Sequence, residues 1–175
     1  MDTPPLHAPW RMDYIRSLDK NDKNECFLCQ AAAAIGAGVD RRKESLLLWH
    51  TDLTIVLMNR YPYANGHLLI APRAHKGDWE ELTDAEHADM ALQSAAAVRL
   101  LKRAVSAQGF NIGANLGRVA GAGLPGHVHQ HVVPRWGGDT NFMAVIGQIR
   151  VVPQAISQLY DELARAWGEL AGTGK

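Results

Sequence analysis

The sequence is poor in cysteine, has no excess charge of either sign and contains no long hydrophobic run. Its 175 residues include two cysteines, and 18 lysines and arginines balance 18 aspartates and glutamates. Zero net charge gives no overall basic field that would gather polymeric nucleic acid, so we expect no such partner. No stretch approaches the roughly 20 apolar residues of a membrane span, and the N-terminus lacks the pattern of a signal peptide. We therefore expect a cytoplasmic protein that does not bind membranes.

The hydrophobic pattern predicts an α+β fold. Five short apolar runs predict strands at residues 46–49, 54–58, 67–71, 110–116 and 127–133. A long helix is expected to begin at the capping box Thr83-x-x-Glu86 and to end at Gly109, with a second helix after Pro153. The apolar stripe of the long helix is predicted at Ala91, Ala95, Val98, Leu101 and Val105. Strands in a meander with helices between them are typical of α+β proteins.

The N-terminal part gives weaker patterns. A short apolar patch predicts one or two helical turns, and its members are Trp10, Tyr14, Ile15 and Leu18. Residues 31–34 favour a helix because alanine has the highest helix propensity. The charged run at residues 40–44 predicts a plain exposed loop.

The run His127-Val128-His129-Gln130-His131 is the strongest functional pattern in the chain. In an extended strand alternate side chains point to the same face, so the three imidazoles would project together, roughly 6 to 7 Å apart. We expect this strand to stop at Pro134, since proline lacks the amide that a central strand needs. The imidazoles could be incidental surface residues, metal ligands or a nucleophile with its helpers.

A glycine-rich loop directly precedes the histidines. Asn115, Gly117, Gly121, Gly123 and Gly126 fall within twelve residues. Glycine-dense backbone can turn its amides inward and form a concave cradle for phosphate oxygens, although it can also be a merely flexible loop. Beside three aligned imidazoles, the cradle is the favoured interpretation, and it predicts a phosphate ester or anhydride as substrate.

The two cysteines form a C-x-x-C at Cys26 and Cys29. In a reducing compartment this spacing favours metal or redox chemistry over a structural disulfide. By itself it does not decide between them.

Three separated segments resemble the histidine triad (HIT) superfamily. Residues 126–134 resemble its signature, residues 59–70 look like its second shared segment, and residues 136–143 resemble the branch of diadenosine tetraphosphate phosphorylases. The resemblance covers roughly residues 25–155. It implies one HIT domain over residues 1–175, with an N-terminal extension, an antiparallel sheet of about five strands, a long helix and a C-terminal helix. It also implies a homodimer or higher assembly with one continuous sheet.

The resemblance implies a covalent mechanism on nucleotides. His129 would attack the α-phosphorus of a dinucleoside polyphosphate and hold the nucleotide, His131 would bind phosphate oxygens, and His127 completes the catalytic triad of histidines. The leaving group would depart before water or inorganic phosphate attacks. The implied substrate-binding residues are Asn59 at the ribose, Leu57 and Met58 beside the base, Asn115, and the loop residues Gly121, Ala122 and Gly123 at the phosphates. His67 would lie close to the site, although an ordinary strand-end histidine is an equal alternative.

The resemblance also gives the cysteines a role. In zinc-containing branches a C-x-x-C joins two histidines, which here correspond to His75 and His127. Two thiolates and two imidazoles make a closed structural zinc site. The alternative to a zinc site is two free thiols packed in the core. Within the zinc interpretation, His50 is the alternative histidine ligand. No organic cofactor is expected.

The sequence departs from the wider family beside the triad. Many members carry glutamine and serine or threonine where this chain has Gly123 and Leu124, so backbone amides, or the side chains of Thr140 or Asn141, would have to serve the phosphate. This difference favours the phosphorylase-like branch. The alternatives are a hydrolase of nucleoside phosphoramidates or adenylylated small molecules, and a nucleotide-binding regulatory protein with vestigial catalysis.

Overall fold

The computed structural model describes residues 26–139 and 154–172. The predicted patch around Trp10 and the side chains of Thr140 and Asn141 lie outside these residues. The helices are α1 (Phe27–Ala33), α2 (Val39–Glu44), α3 (Asp84–Val105) and α4 (Ile156–Gly172), with a short 3-10 helix at Trp79–Glu81. The strands are β1 (Leu47–His50), β2 (Thr54–Met58), β3 (Leu68–Pro72), β4 (Gly109–Ala114) and β5 (Gln130–Arg135).

The five strands form one antiparallel sheet in the order β1-β2-β3-β5-β4. Every residue of β2 and β3 is buried, because both faces of the central strands are covered. On one face Val56, Met58 and Ile70 pack with α3 and α4 in the main core. On the other face Ile55 and Leu57 pack with α1 in a smaller core. The predicted α+β class and five-stranded antiparallel sheet are confirmed.

Helix α3 begins as the capping box predicts. The Thr83 hydroxyl accepts a hydrogen bond from the Glu86 amide, and the Glu86 carboxylate accepts one from the Thr83 amide. The helix ends at Val105 and not at Gly109, because Ser106 takes a left-handed conformation with φ of 52° as its C-cap. Gly109 instead opens β4.

The buried face of α3 is rotated from the predicted stripe. Ala91 and Ala95 are exposed, whereas the buried positions include Met90, Ser94 and Ala97. Alanine covers little surface, so its spacing carries little information about which face packs on the sheet. Ser94 is compatible with burial because its hydroxyl donates to the Met90 carbonyl at 2.8 Å.

Two further expectations were wrong. The charged run at residues 40–44 is part of α2 and not a loop, because Gly38 and Asp40 supply a helix start and its polar face stays in water. Strand β5 begins at Gln130 and continues through Pro134, which pairs with Phe110 of β4. The pairing of β5 with β3 ends at Val132. Beyond Val132 no strand pairs with that side of β5, so the missing N–H of Pro134 leaves no carbonyl of β3 without a donor.

Candidate active site and metal centre

A pocket opens on the face of the sheet that carries α1. Its walls come from α1, from the β2–β3 connection, from β3, from the loop after β4 and from the start of β5. The lining residues are Phe27, Asn59, Tyr61, Tyr63, Leu69, Asn115, Gly121, Gly123, His129 and His131. Six of these ten residues were predicted site residues. The fold thus brings together residues that are far apart in the sequence.

His129 is buried and presents one nitrogen as an acceptor. Its Nδ1 lies 2.9 Å from the His127 carbonyl, so Nδ1–H donates that hydrogen bond. Burial lowers the pKa of His129, and the bond to the carbonyl only partly opposes this shift. The imidazole is therefore neutral near pH 7, and its lone pair is on Nε2. A neutral imidazole with a free lone pair can act as a nucleophile.

His131 receives a hydrogen bond from a second buried histidine. The backbone N–H of Tyr63 donates to His67 Nδ1 at 3.1 Å, so the proton of a neutral His67 is on Nε2. That Nε2 lies 3.0 Å from His131 Nδ1, which must accept. His131 consequently carries its own proton on Nε2. The Tyr63 ring stacks on both imidazoles, with centroid distances of 4.8 Å to His67 and 5.9 Å to His131.

His127 faces the cysteines and not the pocket. Its Nδ1 lies 3.3 Å from Cys26 Sγ and 3.6 Å from Cys29 Sγ, while Cys29 Sγ lies 3.1 Å from His75 Nδ1. The ligand atoms of these four side chains all lie within 4.8 Å of one another. The prediction of a C-x-x-C joined to two histidines therefore matches the geometry. His50 is exposed on β1 and bonds to Thr51, outside this cluster.

The cluster fits a tetrahedral metal ion. Zinc–sulfur and zinc–nitrogen bonds of about 2.3 and 2.0 Å put adjacent S and N ligands about 3.5 Å apart. Three S···N distances in the cluster, 3.1, 3.3 and 3.6 Å, are close to this value. His127 Nε2–H donates to the Pro72 carbonyl at 2.9 Å, which leaves the Nδ1 lone pair toward the thiols. Burial, with smaller effects from His75 and His129, lowers the pKa of His127 to about 4. The neutral form that a metal requires is thus favoured.

Four predicted substrate-binding residues do not line the pocket: Leu57, Met58, His67 and Ala122. Of these, His67 lies next to the site, with its Nε2 3.0 Å from His131 Nδ1. Leu57 and Met58 are buried in the cores on opposite faces of the sheet, because alternate residues of β2 point to opposite faces. Ala122 does not line the pocket either, and its amide donates to the Gly117 carbonyl at 3.2 Å. The Gly121 amide likewise donates to Arg118. The inward-facing cradle of amides is therefore not formed at these two positions.

Four pocket residues had no predicted role: Phe27, Tyr61, Tyr63 and Leu69. Phe27 lies between the two cysteines, so the C-x-x-C itself could have indicated its place. Tyr61 and Tyr63 flank a proline in the connection before His67, and aromatic residues in such a loop are a recognisable signal for ligand contact. Leu69 gives no such signal, because it is one of many buried aliphatic residues.

Comparison with known proteins identifies the fold and the family. The model of the HIT domain matches residues 40–138, which include β1 to β5 and all three histidines. The chain belongs to the HIT domain family. Within residues 26–139 and 154–172, no helix of this HIT protein has the length and apolarity needed to cross a bilayer.

The relatives of this HIT protein include named enzymes. The AP-4-A phosphorylase of Mycobacterium tuberculosis strain H37Rv is 38% identical over 164 residues, covering 93% of this chain and 83% of that protein. An adenosine 5'-monophosphoramidase of Schizosaccharomyces pombe is 26% identical, covering 67% of this chain and 84% of its own. A crystal structure of a Zn-bound histidine triad family protein from Mycobacterium smegmatis superposes with a TM-score of 0.68, at 22% identity, covering 87% of this chain and 99% of that one. The resemblance to the HIT superfamily is confirmed.

Proposed function

We propose that this HIT protein is a nucleotide-processing enzyme that cleaves dinucleoside polyphosphates through a nucleotidyl intermediate on His129. The observation that carries the proposal is the His129 side chain in the pocket, with Nδ1 fixed on the His127 carbonyl and the lone pair on Nε2. The similarity to the AP-4-A phosphorylase supports a dinucleoside tetraphosphate as the substrate. A neutral, oriented imidazole is suited to attack on phosphorus.

The reaction proceeds in two displacements. His129 Nε2 forms a bond to the α-phosphorus, and the bond from that phosphorus to the bridging oxygen breaks, which releases the remaining nucleoside polyphosphate. Inorganic phosphate then attacks the phosphorus, the N–P bond breaks, and a nucleoside diphosphate leaves. With water as the attacking group, the product is a nucleoside monophosphate. His131 Nε2–H donates to the phosphate oxygens, whose charge must be stabilised in both steps.

The pocket walls suggest where the nucleotide binds. Phe27, Leu69 and Tyr61 offer apolar and aromatic surface for a base, and Asn59 offers a side-chain amide for the ribose. Asn115 and Gly123 line the pocket and serve the phosphates. In place of Leu57 and Met58, Leu69 and Phe27 are thus the proposed contacts of the base.

We also propose that zinc is bound by Cys26, Cys29, His75 and His127. The closeness of the four donor atoms, which lie within 4.8 Å of one another, and the Nδ1 lone pair of His127 support this metal. A bound zinc ion would supply structural cross-linking, because all four positions are filled by protein ligands. The cluster would hold α1 against the start of the histidine segment.

Replacement of the proposed nucleophile tests the mechanism. We expect His129→Ala to lower the turnover of diadenosine tetraphosphate by about 10⁴-fold or more, since the covalent path is lost. His50→Ala, at an exposed histidine outside the pocket, is the matched control. Mass spectrometry of the wild type should show an adenylyl adduct on the peptide that contains His129. Normal turnover by His129→Ala, with no adduct in the wild type, would contradict the mechanism.

Product analysis with and without inorganic phosphate tests whether phosphate or water accepts the nucleotide from His129. A phosphorylase forms ADP only when phosphate is present, whereas a hydrolase forms AMP in both reactions.

A second candidate function is hydrolysis of nucleoside phosphoramidates, favoured by the similarity to the adenosine 5'-monophosphoramidase. Faster turnover of adenosine 5'-monophosphoramidate than of diadenosine tetraphosphate would support this second function.

A further inference from the structure

The backbone between His127 and His129 is held by a hydrogen bond to a residue outside the sheet. Strand β5 begins at Gln130, so residues 127–129 precede its ladder. The Val128 N–H donates to the Lys76 carbonyl at 2.7 Å, whereas the His127 N–H makes a longer bond of 3.4 Å to Leu124. Since Val128 directly precedes His129, a shift of the Lys76 carbonyl would also shift the His129 imidazole.

Lys76 lies outside any helix or strand, but its side chain is anchored. Its Nζ lies 2.6 Å from Glu86 Oε2, and the two side chains are only 24% and 8% exposed. The same carboxylate oxygen accepts from the amide and the hydroxyl of Thr83, at 2.7 and 2.9 Å. Burial alone would raise the pKa of Glu86, but the hydrogen bonds from Lys76 and Thr83 outweigh it and lower the pKa. The ionised Glu86 therefore joins Lys76 to the first turn of α3.

The two segments that this bond connects are also packed tightly. A Cβ atom on Gly77 would lie 3.3 Å from the Pro125 carbonyl oxygen and 3.5 Å from Gly126 Cα. Such a short approach leaves little free space between residues 76–77 and residues 125–128. A displacement of Lys76 would thus be transmitted to the histidine segment.

We propose that Lys76 and Glu86 are positioning residues that hold His129 in place through the Lys76 carbonyl and the Val128 amide. The proposal rests on the proposed function of His129. Neither residue lines the pocket, so neither contacts the substrate there. The buried pair differs from the ion pair of Arg103 with Glu169, whose side chains are both 53% exposed and which joins α3 to α4 far along the helix.

Four variants of the 175-residue chain test the proposal. Lys76→Met and Glu86→Gln remove the ion pair, Lys76→Arg keeps a cation that can reach Glu86, and Glu169→Gln breaks the exposed pair as the control. Amide hydrogen exchange at Val128 is measured by NMR, and kcat and KM are measured with diadenosine tetraphosphate. In the first two variants we expect about tenfold faster exchange at Val128 and a kcat about tenfold lower, with KM within twofold of the wild type. Lys76→Arg should restore both, and Glu169→Gln should change neither.

Two results would overturn the proposal. One is a folded Lys76→Met with wild-type exchange at Val128 and wild-type kcat, and the other is exchange that quickens equally at all amides, which marks global stability alone. If Lys76→Met fails to fold, Glu86→Gln decides, because glutamine retains an acceptor for the Thr83 amide. If the wild type cleaves no dinucleoside polyphosphate, the proposed function fails, while the exchange at Val128 still decides whether the ion pair holds this segment.

Discussion

At the scale of single residues, the three histidines of the triad differ because their hydrogen-bond partners differ. His127 donates from Nε2 to a carbonyl and turns Nδ1 to the thiols, whereas His129 donates from Nδ1 and keeps its lone pair on Nε2. His131 accepts at Nδ1 from His67 and therefore donates from Nε2. A neutral imidazole has one donor and one acceptor, so one fixed partner assigns the role of the other nitrogen.

His67 should control the proton position on His131. We expect His67→Phe, which keeps the aromatic stack on Tyr63 but has no N–H, to lower kcat by about 10²-fold, the usual contribution of one positioned proton donor. The dissociation constant for AMP should stay within threefold, because His67 itself does not line the pocket. Steady-state kinetics and calorimetry measure the two quantities, with His50→Phe as the exposed control. A kcat equal to that of the wild type would show that His131 needs no such partner.

At the scale of secondary structure, α1 depends on its surroundings. It has seven residues and no side-chain cap at its N-terminus, and a helix this short is not stable by itself in water. Leu28 and Ala31 are fully buried against the sheet, and the C-x-x-C joins the cluster with His75 and His127. Phe27 lies between those cysteines and lines the pocket, so the cluster and the pocket share one element.

Removal of the metal should therefore affect both stability and nucleotide binding. We expect one zinc per chain in the purified protein, and we expect a chelator to lower the melting temperature by about 10 °C, which corresponds to ~3 kcal/mol for a chain of this size. KM should rise as Phe27 loses its fixed position. Elemental analysis, calorimetry and kinetics measure these changes, and Cys29→Ser should reproduce them without a chelator. Purified protein that contains no zinc and melts identically with the chelator would contradict this expectation.

At the scale of the whole molecule, β4 lies at one edge of the sheet. Three residues of β4 are exposed, namely Asn111, Ile112 and Gly113, and the exposed fraction of Ile112 is 46%. An edge strand with an exposed aliphatic residue is a ready site for pairing with another strand. This geometry supports the proposal of a homodimer in which two β4 strands continue one sheet.

That residues 1–175 form a single domain stays a prediction.

A charge on the β4 edge should separate the subunits. We expect Ile112→Lys to convert a dimer into a monomer, because each subunit would then carry a charge at the edge strand where the two sheets join. Sedimentation at several protein concentrations measures the mass, and Val39→Lys, at an exposed residue of α2, is the control. A wild-type protein that sediments as a monomer, or an Ile112→Lys variant that stays dimeric, would rule out this edge as the interface.

Much of the fold was predictable from local pattern. Short apolar runs located all five strands, and Thr83 with Glu86 located the start of α3. The ends of elements were less predictable, because they depend on neighbours. Pro134 remains in β5 since β3 pairs only as far as Val132, and residues 40–44 form a helix in spite of their charge.

The candidate site shows the same division. Residue type and spacing were enough to show which chemical groups are present: two thiols at metal-ligand spacing, three alternating imidazoles and a glycine-rich loop before them. The partners of these groups follow from the folded sheet, in which His127 joins Cys26, 101 residues away, and His67 donates to His131, 64 residues away. It also placed Leu69 and Phe27 at the pocket in place of Leu57 and Met58. The physical reason is that residue type and spacing fix what a side chain can donate or accept, whereas its role depends on partners that only the packed sheet brings within 3 to 4 Å.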